Sequence, residues 1–346
     1  MNILVTGAGA LLGQGILRCL NFSAKSYNII SADPDVRSTG HALAHKSYCI
    51  PFATNSIYLE RIEEIISIED IDIIFIGTDV ELPLFAENKI YLEEKYNLIV
   101  VVSNPDAIKI ANDKWLTAEF LRKNNFPFPL SALTTNPESI TNLKEKASYP
   151  FIAKPVDGAR SKGLKLINND EDLKAVCSYS NNLVVQEMLS EETGEFTTGC
   201  VVVDGKCKAI VSLIRDLRDG NTWRAYRNGN SPYDETIAEI AEKLGVEGPA
   251  NFQYRIKDGK PVVFEVNCRF SGTTPLRLMF GFNEVEALIE YYLEKKPITQ
   301  PKLKNGTVLR TFSDIFVGNE TLDDFQEKGV TSSYNSKYFP FKKNEE

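Results

Sequence analysis

Two short, almost continuously apolar runs constrain the fold of this chain most. They are Ile71–Ile76, within the segment IDIIFIG, and Leu98–Val102, which reads LIVVV. A strand that is apolar at nearly every position is buried on both faces, which is typical of a parallel sheet covered by helices. Strand and helix patterns alternate around these runs: strands at Ile3–Val5, Ile29–Ala32 and Tyr48–Ile50, and helices over 56–67 and 80–95. The first part of the chain therefore predicts an open α/β unit with a Rossmann-like parallel sheet.

The pattern changes after residue 112, where antiparallel strands are predicted. Two hairpins are expected to turn at Asp204-Gly205 and Asp258-Gly259, because Asp-Gly favours the tightest hairpin turns. The other predicted elements are helices over 113–124, 170–178, 234–244 and about 283–295, strands at 151–154, 165–167 and 183–186, and a closing strand in GTVLRTF. We expect an α/β fold followed by α+β, in three units: 1–112, 113–187 and 188–346.

Composition narrows the class of partner. The 346 residues include 39 Lys and Arg against 47 Asp and Glu, so the net charge is −8. That balance disfavours nucleic acid or an anionic membrane surface as the main partner. No apolar run approaches the ~20 residues of a membrane span, and no signal peptide is predicted. The six cysteines are scattered, with no C-x-x-C pair, which indicates reduced thiols and a cytoplasmic location.

The opening segment, MNILVTGAGALLGQG, is typical of a dinucleotide-binding turn. Gly7, Gly9 and Gly13 follow a strand, and Asp33 ends the next strand, where a carboxylate can hold a ribose hydroxyl. The alternative is that the glycines only permit a tight strand-to-helix turn. An NAD(P)-dependent oxidoreductase therefore stays open as a function.

The segment HALAH has the spacing of a zinc-binding helix. The chain has two histidines, His41 and His45, but the acidic residue expected after the first is Ala42, and no third ligand is evident. We therefore do not expect a metal site at this segment, or a His-rich metal centre or a histidine-dependent catalytic triad anywhere in the chain.

The hairpin NFQYRIKDGKPVVFEVNCRF carries the most informative polar pattern. Glu265, Asn267 and Arg269 are spaced by two, so they project from one face, and Gln253 on the partner strand can join them. Carboxylate and amide oxygens suit Mg²⁺ bound to phosphates. An arginine beside them can stabilise a phosphoryl group during transfer. The alternative is an ordinary polar face of a hairpin.

Several segments in order resemble the ATP-grasp superfamily, most closely its carbamoyl-phosphate-synthetase large-subunit-like branch. The segments are ANDKWLTAEFLRKNNFPFP, PFIAKPVDGARSKGL, VVQEML, GEFTTG and FEVNCRFSG. The resemblance implies a pre-ATP-grasp domain that does not bind NAD, then a small lid, then a catalytic antiparallel sheet. ATP would lie between the lid and the sheet. Cys268 stands where the family usually has proline, and the chain has one such module rather than two. We therefore do not expect it to make carbamoyl phosphate alone.

The resemblance also implies a set of site residues. ATP would be bound by Lys114, Lys154, Gly158, Ser161, Gly163, Glu187, Met188, Leu189 and Glu195. Mg²⁺, or Mn²⁺ in its place, would be held by Gln253, Glu265 and Asn267. Arg269 and Lys154 would be the catalytic residues that face the transferred phosphoryl group.

The implied reaction joins a carboxylate to an amine through an acyl phosphate, with release of ADP and phosphate. An amino acid or small peptide-like compound is the expected substrate. Arginine can hold a carboxylate through two hydrogen bonds, which makes Arg215, Arg218, Arg224 and Arg227 candidates for binding the acid. Asp79 and Glu81, with Thr78, follow a strand and are candidates for the amine. A non-catalytic ATP-binding subunit of a larger synthetase is the other alternative, and a homodimer is compatible with the chain.

Overall fold

The computed structural model of the chain describes residues 1–158, 163–178, 182–332 and 334–338. The first part alternates strands and helices. Its elements are β1 (Asn2–Val5), α1 (Leu11–Asn21), β2 (Asn28–Asp33), a 3₁₀ helix (Thr39–Leu43), β3 (Lys46–Cys49), α2 (Tyr58–Glu69), β4 (Ile73–Phe75), α3 (Leu82–Tyr96), β5 (Ile99–Val101) and α4 (Pro105–Asn112).

The second part is a small α+β unit. Its elements are α5 (Lys114–Lys123), β6 (Ser131–Leu133), α6 (Pro137–Lys146), β7 (Phe151–Pro155), β8 (Lys165–Ile167), α7 (Asp170–Ser178) and β9 (Leu183–Glu187).

The third part is dominated by antiparallel strands. Its elements are β10 (Glu195–Val203), β11 (Lys206–Arg218), β12 (Asn221–Arg227), α8 (Asp234–Leu244), β13 (Gly248–Lys257), β14 (Lys260–Asn267), α9 (Thr274–Met279), α10 (Glu284–Glu294), β15 (Gly306–Leu309), β16 (Ile315–Val317), α11 (Asn319–Lys328), β17 (Val330–Thr331) and β18 (Ser336–Tyr338).

The first sheet has the strand order β17-β3-β2-β1-β4-β5, and β1 to β5 are parallel to one another. All three residues of β4 are fully buried. The apolar run that predicted a strand covered on both faces therefore forms one, and the predicted parallel α/β sheet is confirmed. β17 joins the same sheet antiparallel to β3, far along the chain from its partner.

The two other main sheets are antiparallel. The small unit has the order β6-β9-β7-β8, and the third part has the order β14-β13-β10-β11-β12-β15. Both predicted hairpin turns are confirmed, since Asp204 and Gly205 have φ of 54° and 68°, and Asp258 and Gly259 have 52° and 71°. Two consecutive residues with positive φ fit the right-handed twist of the flanking strands. The predicted order of α/β followed by α+β is therefore correct.

The hydrophobic core ties the first and third parts together. One buried cluster includes Leu4 and Ile74 of the first sheet together with Phe252 and Val266 of the third. The small unit has a separate cluster around Phe151 and Ile167. The small unit therefore packs as a layer of its own beside the third sheet. The three unit boundaries given above remain a prediction. Within the described residues, no helix combines the length and apolar character of a transmembrane span.

Candidate active site

A cavity of about 480 Å³ lies between the small unit and the third sheet. Lys154 and Met188 line it from the small unit, and Glu195, Gln253 and Glu265 line it from the third sheet. Its walls combine apolar side chains with charged groups of both signs, as in binding sites for small ligands that have both apolar and polar parts.

Two lysines reach the cavity from different elements. Lys114 begins α5, whose N-terminus is capped by the Asp113 side chain, which accepts from the backbone N–H groups of Trp115 and Leu116 at 2.8 and 3.0 Å. The Lys114 Nζ donates to the carbonyl of Gly158 at 2.7 Å. The Lys154 Nζ lies 5.7 Å from the centroid of the Phe264 ring.

Burial weakens the charged form of both ammonium groups. Burial lowers the pKa of Lys154 to about 8, and the nearby positive charge of Lys114 lowers it further. Burial also lowers the pKa of Lys114. A ligand that brings negative charge between these two groups would relieve both effects.

Glu187, Met188 and Leu189 line the apolar end of the cavity. The Glu187 carboxylate accepts from the backbone N–H of Leu130 at 2.9 Å and from the Lys257 Nζ at 2.5 Å. These contacts fix the end of β9. Leu189 is buried, whereas Met188 is exposed over the cavity.

Glu195 is held between two arginines. Its Oε1 accepts from the Arg215 Nε and Nη2 at 3.1 and 2.5 Å, and its Oε2 accepts from the Arg255 Nη2 at 2.9 Å. The Arg255 Nη1 also donates to the carbonyl of Leu189 at 2.9 Å. Both oxygens of the predicted ribose-binding carboxylate therefore have protein partners in this structure, and its contact with a ribose remains a prediction.

The predicted polar face of the second hairpin is formed. Gln253 pairs with Glu265 in the register of β13 and β14. The Glu265 Oε1 accepts from the Gln253 Nε2 at 2.7 Å and from the Asn267 Nδ2 at 3.0 Å. The register shifts after Gln253, because β14 has a bulge there. As a result the consecutive residues Phe264 and Glu265 both line the cavity.

Arg269 connects this polar cluster to the first sheet. Its Nη2 donates to the Asn267 Oδ1 at 2.8 Å, and its Nε and Nη2 donate to the two carboxylate oxygens of Asp79 at 2.5 and 3.1 Å. Arg269 and Asp79 line a second, smaller cavity of about 120 Å³, which shares Gln253 and Glu265 with the first. The polar cluster therefore lies where the two cavities meet.

The donor set of the cluster fits a magnesium ion. Glu265 offers a carboxylate, and the amide groups of Gln253 and Asn267 can present oxygen in place of nitrogen by rotating half a turn. Three hard oxygen donors suit Mg²⁺. Among the described residues, no group of three or more His, Cys, Asp or Glu side chains could hold a metal ion. The cluster is of a different type, with one carboxylate and two amides.

Some predicted site residues lie elsewhere. Glu81 is buried in the first unit, where its carboxylate accepts from the hydroxyls of Tyr58 at 2.5 Å and Thr78 at 2.7 Å. Arg227 is buried and donates to Asn305 and Asn230, both outside the cavities. Arg224 is exposed, 3.6 Å from Asp216.

The remaining candidates differ in whether they line the first cavity. Gly158 lines the first cavity, whereas Gly163 does not. Arg215 lies between Glu195 and Gln253, whose Oε1 accepts from the Arg215 Nη2 at 2.6 Å. Ser161 lies outside the described residues.

The opening glycine turn is filled by its own unit. A Cβ on Gly7, which has φ of +54°, would lie 2.4 Å from the Thr78 methyl group, and one on Gly13 would lie 2.2 Å from the carbonyl oxygen of Gly7. The Asp33 carboxylate accepts from the backbone N–H of Gly9 at 2.7 Å and from the Ser38 hydroxyl at 2.5 Å. The glycines serve close packing here, and Asp33 serves the turn.

The two histidines have separate structural roles. The buried His41 ring lies 2.9 Å from the Ser31 hydroxyl and packs edge-on against Phe325. Burial lowers the pKa of His41 to about 4. The His45 Nδ1 accepts from the backbone N–H of Ile29 at 3.1 Å.

Among the lining residues that sequence reasoning missed are Arg255, Phe264 and Arg310. Arg255 follows Gln253 by two positions on β13, so the alternation of that strand indicates its side. Phe264 reaches the cavity only because of the bulge, which the sequence does not reveal. Arg310 follows β15 and is brought to the smaller cavity by the pairing of β15 with β12.

Comparison with known proteins identifies a matching domain family. Residues 111–273 match the ATP-grasp domain family. The chain is 23% identical to the carbamoyl phosphate synthase large chain of Thermotoga petrophila, over 90% of this chain and 31% of that protein. It thus spans about a third of the length of that relative.

Two solved structures show the same fold. One is N5-carboxyaminoimidazole synthetase from Staphylococcus aureus complexed with ADP, with a TM-score of 0.66 and 16% identity over 94% of this chain and 84% of that one. The other is the biotin carboxylase domain dimer of Hydrogenobacter thermophilus 2-oxoglutarate carboxylase, complexed with MgADP, ADP and bicarbonate. Its TM-score is 0.68, with 17% identity over 95% of this chain and 76% of that one. By these matches residues 111–273 are an ATP-grasp domain, and the chain shares the fold of the two solved structures.

Proposed function

We propose that this protein is an ATP- and Mg²⁺-dependent ligase that joins a carboxylate to an amine through an acyl phosphate. One observation carries the proposal. Lys114, Lys154 and Glu265 line the same cavity, and Arg269 lies beyond Glu265 in the adjoining smaller cavity. Phosphate-binding charge and phosphoryl-stabilising charge are therefore adjacent.

The apolar end of the cavity accounts for the adenine, and the charged end for the phosphates. Met188 and Leu189 supply a wall for the base, and the two lysines supply positive charge to the phosphates. The Arg215 and Arg255 side chains orient the Glu195 carboxylate between those ends, where the ribose would lie. In this arrangement the terminal phosphate points toward the junction of the two cavities.

The need for ATP follows from the low reactivity of a carboxylate toward an amine. A carboxylate is a poor electrophile, and phosphorylation turns it into an acyl phosphate, from which an amine displaces phosphate. Arg269 lies where charge develops on the transferred group, and Asp79 and Asn267 hold its guanidinium in place. Gln253, Glu265 and Asn267 would hold Mg²⁺. The ion would neutralise negative charge on the phosphates when bound.

The names of the relatives support the nucleotide but leave the substrates open. ADP accompanies one of the similar structures, and MgADP with bicarbonate the other. An amino acid or small peptide-like substrate, Mn²⁺ in place of Mg²⁺, a homodimer and a cytoplasmic location remain predictions for this chain. The competing NAD(P) function loses its expected ribose ligand, since Gly9 and Ser38 already bind both oxygens of Asp33.

The spent nucleotide tests the proposal. The protein is incubated with MgATP, a panel of carboxylic acids and hydroxylamine, and the nucleotides are separated by chromatography. We expect ADP and phosphate, formed only with a suitable acid, together with a hydroxamate that traps the acyl phosphate. Stoichiometric AMP and pyrophosphate would refute this mechanism. Calorimetry with NAD(H) is the control, and micromolar NAD(H) binding without ATP binding would favour the oxidoreductase.

A further inference from the structure

A third cavity, of about 440 Å³, opens on the far side of the smaller one. Its walls come from α1, the 3₁₀ helix, the turn between β11 and β12, and the segment that follows β15. We call it the arginine cleft, after the cationic and aromatic side chains that define it: Arg18, Arg218, Arg310, Trp223 and Phe312.

The cleft carries positive charge without matching negative charge. Arg18 and Arg310 have no carboxylate within 4.0 Å among the residues that the structure describes, and the Asp219 carboxylate nearest to Arg218 lies 3.9 Å away. The Arg310 Nη2 donates to the carbonyl of Gly272, but its buried Nε has no hydrogen-bond partner in the described part of the chain. Burial and the charge of Arg18 both lower the pKa of Arg310. An anion beside Arg310 would satisfy its Nε and offset the repulsion.

The outer part of the cleft is aromatic. The rings of Trp223 and Phe312 lie 5.4 Å apart between centroids, and the Arg218 guanidinium lies 4.7 Å from the Trp223 ring. Phe312 is 72% exposed. An apolar ligand surface would remove these rings from water.

The cleft is continuous with the proposed catalytic cluster. Leu11, Asn221 and Arg310 line both the cleft and the smaller cavity. The smaller cavity in turn shares Gln253 and Glu265 with the nucleotide cavity. Arg310 therefore stands at the inner end of the cleft, on the side of the phosphoryl-transfer cluster.

We propose that the arginine cleft binds the acid substrate, as a small organic carboxylate with an apolar or aromatic body. Its carboxylate is bound by Arg310 and faces the Glu265–Arg269 cluster, and its body packs on Trp223 and Phe312. The role assigned to the acid rests on the proposed ligase function, whereas its binding in the cleft does not. Of the four arginines predicted from sequence for the acid, only Arg218 lines this cleft.

Trp223 reports binding directly, because the chain has two tryptophans and a Trp115→Phe background leaves Trp223 as the single indole. The probe is 3-phenylpropionate, added without nucleotide or metal. We expect a saturable change in Trp223 fluorescence. The neutral amide 3-phenylpropionamide lacks the negative charge, and acetate lacks the apolar part. Each should bind at least ~10-fold more weakly, the loss expected for a missing charged hydrogen bond or a missing buried apolar group.

Arg310→Met in the same background should weaken 3-phenylpropionate binding at least ~10-fold, and Arg18→Met serves as the second variant if Arg310→Met fails to fold. Arg224→Met is the matched control, since Arg224 lies on β12 next to Trp223 but lines no cavity described above. Equal binding of the amide, or full binding by both cleft variants, would overturn the proposal. Acid-dependent ADP formation with acids that leave Trp223 fluorescence unchanged would overturn it while the ligase function stands. Binding without any ATP turnover would refute the ligase function and keep the cleft.

Discussion

The chain contains two glycine-rich regions that could cradle phosphate, and they differ in how their polar groups are satisfied. In the turn between β1 and α1, Gly7 and Gly13 make room for neighbouring protein atoms, and Asp33 is bound by Gly9 and Ser38. In the cavity beside β7, two partly buried lysines lie close enough that the charge of Lys114 lowers the pKa of Lys154. Protein atoms already occupy the first region and bind its carboxylate, whereas the lysines of the second region favour binding of an anionic ligand.

The difference shows what a glycine motif can and cannot establish. Glycine permits close approach, but the approaching group is a methyl or carbonyl of the same chain as readily as a phosphate. The depressed pKa of Lys154 distinguishes the second region, because a lysine whose pKa is lowered by burial and by a neighbouring positive charge is typical of binding and catalytic sites. The lowered pKa of a lysine is therefore a better indicator of a ligand site than the glycine pattern.

The largest effect is expected from Glu265→Ala, which changes the cavity of the second region and leaves the first region untouched. Removing this carboxylate should lower turnover at least ~100-fold, the scale of one lost electrostatic contact in a catalytic site, and leave the fold intact. Steady-state ADP formation and a thermal melt measure the two effects. Glu235→Ala, at an exposed position of α8, is the matched control. Turnover within a few-fold of the native protein would remove Glu265 from the site.

Gly7→Ala tests the first region, where we expect a loss of stability and no loss of nucleotide binding. The new methyl would meet Thr78 at 2.4 Å in a backbone with φ of +54°, so unfolding should become easier by roughly 1–3 kcal/mol. Nucleotide affinity should stay within about twofold, because the turn holds no phosphate. Gly205→Ala separates strain from collision, since it has φ of +68° and open space around its Cβ. Denaturant titration measures the stability, and calorimetry with ATP measures the affinity. If Gly7→Ala lost ATP binding without losing stability, the first region would be the one that binds phosphate.

The pH dependence of nucleotide affinity sharpens the second region. The pKa of Lys154 lies at about 8 in the folded protein, below its ordinary value of 10.5. Phosphates favour the charged lysine, so affinity should be steady below pH 8 and fall about tenfold by pH 9, with proton uptake on binding. The same shift destabilises the fold below pH 8, and that cost is relieved between pH 8 and 10.5. Calorimetry in buffers of different ionisation enthalpy measures the uptake. Lys154→Arg should flatten the profile, and an unchanged slope would assign it to another group.

Local pattern predicted much of the fold. The apolar runs gave β4 and β5, and each Asp-Gly gave a hairpin turn with two positive φ values. Period-two spacing placed Glu265 and Asn267 on one face, the hairpin brought Gln253 beside them, and the hydrogen bonds among the three confirm that placement. The separate helix α4 was missed, although Asn104 caps it, because Asp113 starts a new helix directly after it.

Features that depend on distant pairing could not be predicted. Arg310 reaches the smaller cavity because β15 pairs with β12, and Arg18 reaches the cleft from α1. Neither position has a periodic or compositional signal, since each is an isolated arginine in its own segment. The bulge at Phe264 likewise arises from the fit of one strand to another.

The pairing of β17 with β3 has a consequence for how the protein is made. Val330 is opposite Tyr48, and Thr331 is opposite Ser47. The whole segment between β3 and β17 must therefore leave the ribosome before the outer edge of β3 can be covered. Until then that edge offers free peptide groups to any extended segment, including one from a neighbouring nascent chain. Contacts this far apart in sequence slow folding, because a long loop must close before they form. Truncation upstream of α11 would leave the same edge open permanently and favour aggregation at that strand.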